Sequence, residues 1–150
     1  MNISENFTLE EATYSETAIR LGINNQPNEK QLENMKTAAT CLEELRKLSG
    51  PLRINSWLRL PEVNVAVGGS KMSSHMDGWA IDVSSSKHTP YQLCQLVKQS
   101  GIKFDQMIHE FGRWMHISFA PEMRQQELTI FKPEGKYKSG ILTESQYKGE

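Results

Sequence analysis

A chain of 150 residues, 37% of them hydrophobic, is long enough to bury one compact core and too short for two full domains. A formal net charge of −1 with 23% charged residues argues against the basic footprint of a nucleic-acid binder and against an acidic solvating tail. No apolar run approaches the roughly 20 residues of a bilayer span, and "MNISENFTLEEATYSETAIR" lacks the basic start and apolar core of a signal peptide, so synthesis in a cytoplasm without membrane insertion is expected.

The opening segment offers Thr8 as an N-cap with Glu10 and Glu11 in the first turn, then Ser15 as the start of a second short helix. After the polar "NNQPNEK", the run to Ser49 places Leu32, Met35, Ala39, Leu42 and Leu45 at helical spacing, and Gly50 and Pro51 stop it. Leu52, Ile54 and Ser56 alternate as a strand that Pro61 breaks, and a short helix or turn from Pro61 ends at Gly68 and Gly69. "GWAIDVSS" reads as a second strand. Thr89 as N-cap, Pro90 at the first helical position and Gly101 as terminator define a second main helix. "FDQMIHEFGRWMHISFA" reads as two strands joined around Phe111, Gly112 and Arg113, closed by Pro121. Cys41 and Cys94 both fall in helical stretches, without metal-ligand spacing or the density of a disulfide scaffold, and are expected as reduced thiols. The polar residues after Pro121 predict one edge strand at most and then a tail, so the organisation expected is a domain over 1–121 followed by 122–150. Helices first, then strands mixed with one helix, indicate an α+β domain whose small, mainly antiparallel sheet is packed with helices.

Within this frame His75, Asp82 and His116 form a candidate metal set. Hydrolytic metal sites commonly take three ligands from His and carboxylate and leave one position for water. His75 and Asp82 flank a turn at Gly78, and Asp82 shares a strand side with the small Ala80. In "WMHISF" the residues Trp114, His116 and Ser118 take one face and Met115, Ile117 and Phe119 the apolar one. On spacing alone the alternatives stay open, since an Asp after a glycine turn often serves the turn and a strand His often packs in a core. His88 and His109 belong to no comparable grouping. The glycine pair in "VGGS" lacks the Lys and Ser/Thr of a phosphate loop, and is expected, with Asn64, to shape the loop carrying His75.

"SSHMDGWAID" fits the pattern Ser-x-His-x-x-Gly-x-Ala-x-Asp through Ser73, His75, Gly78, Ala80 and Asp82, and so resembles the first motif of the zinc D-Ala-D-Ala carboxypeptidase-like peptidases, the M15 family. "WMH", ending at His116, resembles the second motif. "FTLEEATYSETAIRLGINNQP", "INSWLRLPEVNVAVGGS" and "EFGRWMHIS" look like the subgroup found in bacteriophages and prophages, and the likeness runs over roughly residues 7 to 120. The resemblance implies the hedgehog/DD-peptidase fold, Zn²⁺ held by His75, Asp82 and His116, and bacterial peptidoglycan as the partner, with virion proteins as further partners if the chain is packaged. It also implies that Arg59, in the Ser-x-x-Arg of "SWLR", points toward substrate and holds a carboxylate or the developing oxyanion. Ser73 and Trp114 are expected at the substrate side of the site, and Trp57 and Trp79 are further candidates for its wall.

The base departs from many relatives. Where they carry an acidic residue three positions before the last histidine, this chain has Arg113, which cannot act as a base at neutral pH. Glu110, six positions before His116, resembles the phage-type arrangement and that of the zinc domain of hedgehog proteins. A three-residue loop would pair Glu110 with Trp114 and put it on the sheet face of His116, whereas a two-residue loop would turn it away. The three-residue loop is therefore predicted, with Gly112 or Arg113 absorbing the unusual backbone geometry. Glu110 is expected to take a proton from the attacking water and pass it to the leaving amine. The competing expectation is a zinc-containing module that binds cell wall or virion proteins without catalysis, which Arg113 keeps in play.

Overall fold

The structure is a computed structural model describing residues 1–150. In chain order it comprises α1 (Leu9–Thr13), α2 (Glu16–Leu21), α3 (Glu29–Ser49), β1 (Leu52–Ser56), α4 (Pro61–Ala66), a 3-10 turn (Ser74–Asp77), β2 (Ala80–Ser85), α5 (Pro90–Ser100), β3 (Gln106–Glu110), β4 (Trp114–Ser118), β5 (Gln126–Ile130), β6 (Lys138–Ser139) and α6 (Glu144–Lys148). Helix starts follow local chemistry. Thr8 and Thr89 accept from the backbone N–H groups of Glu11 and Gln92, whose side chains return the bond, and Ser15 caps α2 from Ala18 N–H. Asn28 with Gln31 starts α3 in the same way, and Thr143 with Gln146 starts α6.

The strands form one sheet in the order β1-β2-β4-β3-β5-β6, antiparallel throughout except for the parallel β3–β5 pair. α5 packs on β2, β3 and β4, and α3 packs on α5. Between them lies the core, with Met35, Ala38, Ala39, Leu42 and Leu45 from α3, Leu93, Cys94 and Val97 from α5, and Ile81, Val83, Met107, Met115 and Ile117 from the sheet. Each large side chain buried there contributes about 1.5–3 kcal/mol relative to exposure. Strand alternation then assigns the other face. Opposite the helices it carries Ala80 and Asp82 of β2, His116 and Ser118 of β4, and Ile108 and Glu110 of β3, aligned through the pairs Asp82↔His116 and Ile108↔His116.

The residues after Pro121 correct the expectation of an edge strand followed by a tail. β5 lies inside the sheet, flanked by β3 and β6, and α6 buries Tyr147 while Ile130, Phe131 and Ile141 are also buried. The polar composition misled because the buried apolar residues here are few, Ile130 and Phe131 at the end of β5, Ile141 after β6 and Tyr147 in α6, too sparse to show a period. The turn into β5 is clamped by Arg124, whose Nε and Nη2 donate to Oδ1 and Oδ2 of buried Asp105 at 2.9 Å each. No helix is long and apolar enough to cross a membrane.

Candidate active site

His75 sits in the 3-10 turn, and almost every backbone carbonyl around it is occupied. Gln31 Nε2 donates to Met76 O (2.9 Å), Asn34 Nδ2 to Asp77 O (3.0 Å), and the Trp57 indole N–H to Gly78 O (2.8 Å). The turn closes at Gly78 with φ +84°, where an added Cβ would lie 2.6 Å from Met35 Cγ and 3.0 Å from Gln31 O. Only glycine fits, on both backbone and steric grounds. Ser73 Oγ accepts from His75 N–H at 3.2 Å, so the hydroxyl predicted near the site orients the ligand-bearing turn. The preceding loop is shaped as expected: Asn64 Nδ2 donates to Ser70 O, and Gly69 packs against Asn64 too closely for a side chain. Asp77 is exposed and outside the cluster.

His75 Nδ1 is 2.6 Å from Trp57 O. A carbonyl only accepts, so Nδ1 carries the proton and Nε2 presents a lone pair. That lone pair faces Asp82 Oδ1 at 3.3 Å. Two acceptors opposed inside a protein need a cation or a proton between them. His116 Nδ1 lies 2.9 Å from the same Oδ1, and the three ligand atoms fall within 4.8 Å of one another. Donors around a tetrahedral ion with bonds of about 2.0–2.1 Å stand roughly 3.3 Å apart, so the set fits a small divalent metal with little movement. His75 is fully buried, and Asp82 and His116 are nearly so. The two histidines hold the Asp82 carboxyl far below the usual carboxylate range, overcoming its desolvation, while burial lowers His75. Asp82 is thus ready to ligate as an anion and His75 as a neutral imidazole.

Glu110 is where the hairpin argument put it. It pairs with Trp114, and its Oε1 lies 3.8 Å from His116 Nδ1. Burial, with Asp82 adding repulsion, raises its pKa to about 7 against the pull of His116, of the Trp114 indole N–H as a donor, and of Arg59. The loop has three residues as predicted, but the unusual backbone falls on Phe111 (φ +59°) and Gly112 (φ +66°), not Arg113. Phe111 tolerates the left-handed region because its N–H donates to Ile130 O at 2.9 Å and its ring packs edge-on against Trp114. Arg113 is exposed and contributes its backbone N–H to the turn, bonding Glu110 O at 3.0 Å.

Arg59 leaves β1 beside the site, its backbone N–H bonded to His75 O at 3.1 Å. Its half-buried guanidinium feels both Asp82 and Glu110 but pairs with neither, and its Nε is buried without a partner. Trp114 Nε1 is also buried and bears on the Glu110 carboxylate without a well-aligned hydrogen bond. Trp57 belongs to the core, and Trp79 is partly buried against it. His109 is held on the helix side of the sheet by Leu142 O and packs between Tyr91 and Phe131.

These distances describe a metal-binding triad with an adjacent carboxylate, on a chain whose residues 5–118 match the family model for Peptidase M15. The chain belongs to the M15 peptidase family. No curated protein matches it. The family match and the His-Asp-His cluster together indicate a metallopeptidase. In this M15 peptidase, sequence reasoning missed Gln31 and Asn34. They read as ordinary polar positions of a long helix, and only their bonds to the 3-10 turn reveal that they fix the first ligand. It also missed Asn25, whose side chain ties Thr13 O, Leu58 O and Leu60 N–H and so braces the segment that leads to Arg59.

Proposed function

We propose that this M15 peptidase is a zinc enzyme that hydrolyses an amide bond in the peptide stems of bacterial peptidoglycan, serving a bacteriophage or prophage as an endolysin or a virion-associated wall hydrolase. The observation that carries the reading is the placement of Glu110, on the sheet face of the triad with its carboxylate 3.8 Å from His116 Nδ1. A purely binding module does not call for a largely buried carboxylate held beside the three ligands with its pKa raised to about 7, a value suited to a general base at neutral pH. The phage setting and the wall substrate are supported by the likeness of residues 7 to 120 to the phage-type subgroup.

His75 Nε2, Asp82 and His116 Nδ1 would hold the zinc. Bound there, Zn²⁺ supplies a Lewis acid that brings the pKa of water to about 7 and polarises the substrate carbonyl. Glu110 accepts the proton of the attacking water and returns it to the amine as the C–N bond breaks. Trp57 O holds His75 in the tautomer that presents Nε2, and Ser73 fixes the turn. Arg59, with its unpartnered Nε, engages a carboxylate of the stem peptide or the oxyanion formed on attack. Trp114 offers its ring face to the peptide backbone, while its indole N–H bears on Glu110.

The test incubates zinc-loaded protein with purified peptidoglycan and analyses released fragments by mass spectrometry, beside Glu110→Ala and His116→Ala. New amine termini with the parent and a loss of at least about 10²-fold in either variant are expected. No release from walls of several chemotypes would favour the non-catalytic binding module, and full activity in Glu110→Ala would remove Glu110 as the base.

A further inference from the structure

We propose that Tyr137, from the segment beyond the family match, is a substrate-contacting residue of this site, its phenol hydroxyl donating a hydrogen bond to a carbonyl of the bound peptide from the side opposite Arg59. The sheet register indicates where it lies. Thr129 pairs with Lys138 and Leu128 with Ser139, so Tyr137, the residue just before β6, continues that register to the level of Ile130, which in turn pairs with Glu110. Trp114, Glu110, Ile130 and Tyr137 thus form one row on one face, with the backbone of Tyr137 two strand spacings, about 10 Å, from that of Glu110. A tyrosine leaning along such a row reaches the neighbourhood of the carboxylate. Arg59 follows β1 at one margin of the sheet and Tyr137 precedes β6 at the other, with Asp82, His116 and Glu110 on the strands between them. An extended peptide crossing the strands would meet a cationic donor on one side of the scissile bond and a neutral donor on the other.

The backbone around Tyr137 is held on both sides. Lys136 N–H donates to Tyr147 Oη at 3.2 Å, and the Tyr147 hydroxyl donates back to Lys136 O at 2.6 Å. Lys138 is paired in β6, and its Nζ donates to Tyr147 O at 2.7 Å. Tyr147 itself is fully buried. This anchoring presents a tyrosine that is itself largely exposed and makes no hydrogen bond of its own within the chain. Partial burial, with the negative charges of Glu110 and Asp82 added, raises the pKa of the phenol.

The inference rests on the peptidase reading above, and its test separates the two. Initial rates of fragment release from dye-labelled walls are compared for parent, Tyr137→Phe and Tyr137→Ala, with thermal unfolding as a control. Tyr137→Phe removes one oxygen from an exposed ring. It should leave the unfolding midpoint unchanged and lower kcat/KM about tenfold, the effect of one net hydrogen bond. Rates within twofold of the parent would overturn the proposal. A second arm measures, by calorimetry, acetohydroxamate binding to the zinc-loaded proteins, because its carbonyl oxygen can accept from the same donor without any cleavage. Weaker binding to Tyr137→Phe supports the contact and equal binding overturns it. A parent inactive on every wall would sink the peptidoglycan reading while this arm still decides Tyr137.

Discussion

At Gly78 one hydrogen atom decides whether the first ligand can be placed. The left-handed backbone and the contacts with Met35 Cγ and Gln31 O leave no room for a methyl group, so Gly78→Ala should cost about 1–3 kcal/mol. It should also weaken metal binding, measured as the rise in unfolding temperature on adding zinc. Asp82 separates stability from ligation in the opposite sense. With Asp82→Asn the shape is kept but the anion between two imidazoles is gone, so the zinc-induced rise in Tm should disappear. In the parent, zinc at 100 times its Kd should add about 2.7 kcal/mol. The triad was legible in the sequence through the resemblance of five positions within Ser73–Asp82 to the M15 motif; ligand chemistry and spacing alone left it open. Gln31 and Asn34 were not legible. A helix tolerates either residue on any exposed face, and their value arises only when carbonyls from a segment more than forty residues away are brought beside them.

Among the elements, the hairpin and the segment after Pro121 tell opposite stories about what patterning reveals. In β3 and β4 the alternation is complete, and the requirement that Glu110 and His116 share a face fixes the loop at three residues. Which loop residue would take the left-handed backbone was not legible, because Phe111 is favoured there by Trp114 and Ile130, contacts made outside the loop. In β5, β6 and α6 the apolar residues are too sparse for a period to show. Their order comes from partners, with β5 pairing to the far edge of β3, Thr129 Oγ1 donating to Gly140 O and Tyr147 filling the core. Removal of residues 122–150 would uncover the whole edge of β3, which carries Glu110, the proposed base. The shortened protein should fail to give a cooperative unfolding transition and should aggregate; a soluble 1–121 fragment with the parent's Tm would show that the two parts are separable.

For the molecule as a whole, acid stability is expected to report on the clamp that joins these parts. The bidentate hydrogen bonds from Arg124 hold the Asp105 carboxyl below the ordinary carboxylate range. A depressed folded pKa means that the unfolded chain binds the extra proton first. The clamp's contribution is therefore complete above about pH 4, the unfolded value, and is lost as the pH falls through the lower folded value. Asp105→Asn should lower the midpoint of urea unfolding at neutral pH and converge on the parent in strong acid. One parallel pair in an otherwise antiparallel sheet has a further consequence, which concerns time. β3 and β4 can zip locally as soon as both have been made, but the chain leaving β4 must cross β3 to set β5 on its far edge, and such non-local pairing forms late. During synthesis the nascent chain would thus carry all its metal ligands and Glu110 before the strand that braces Glu110 has been made.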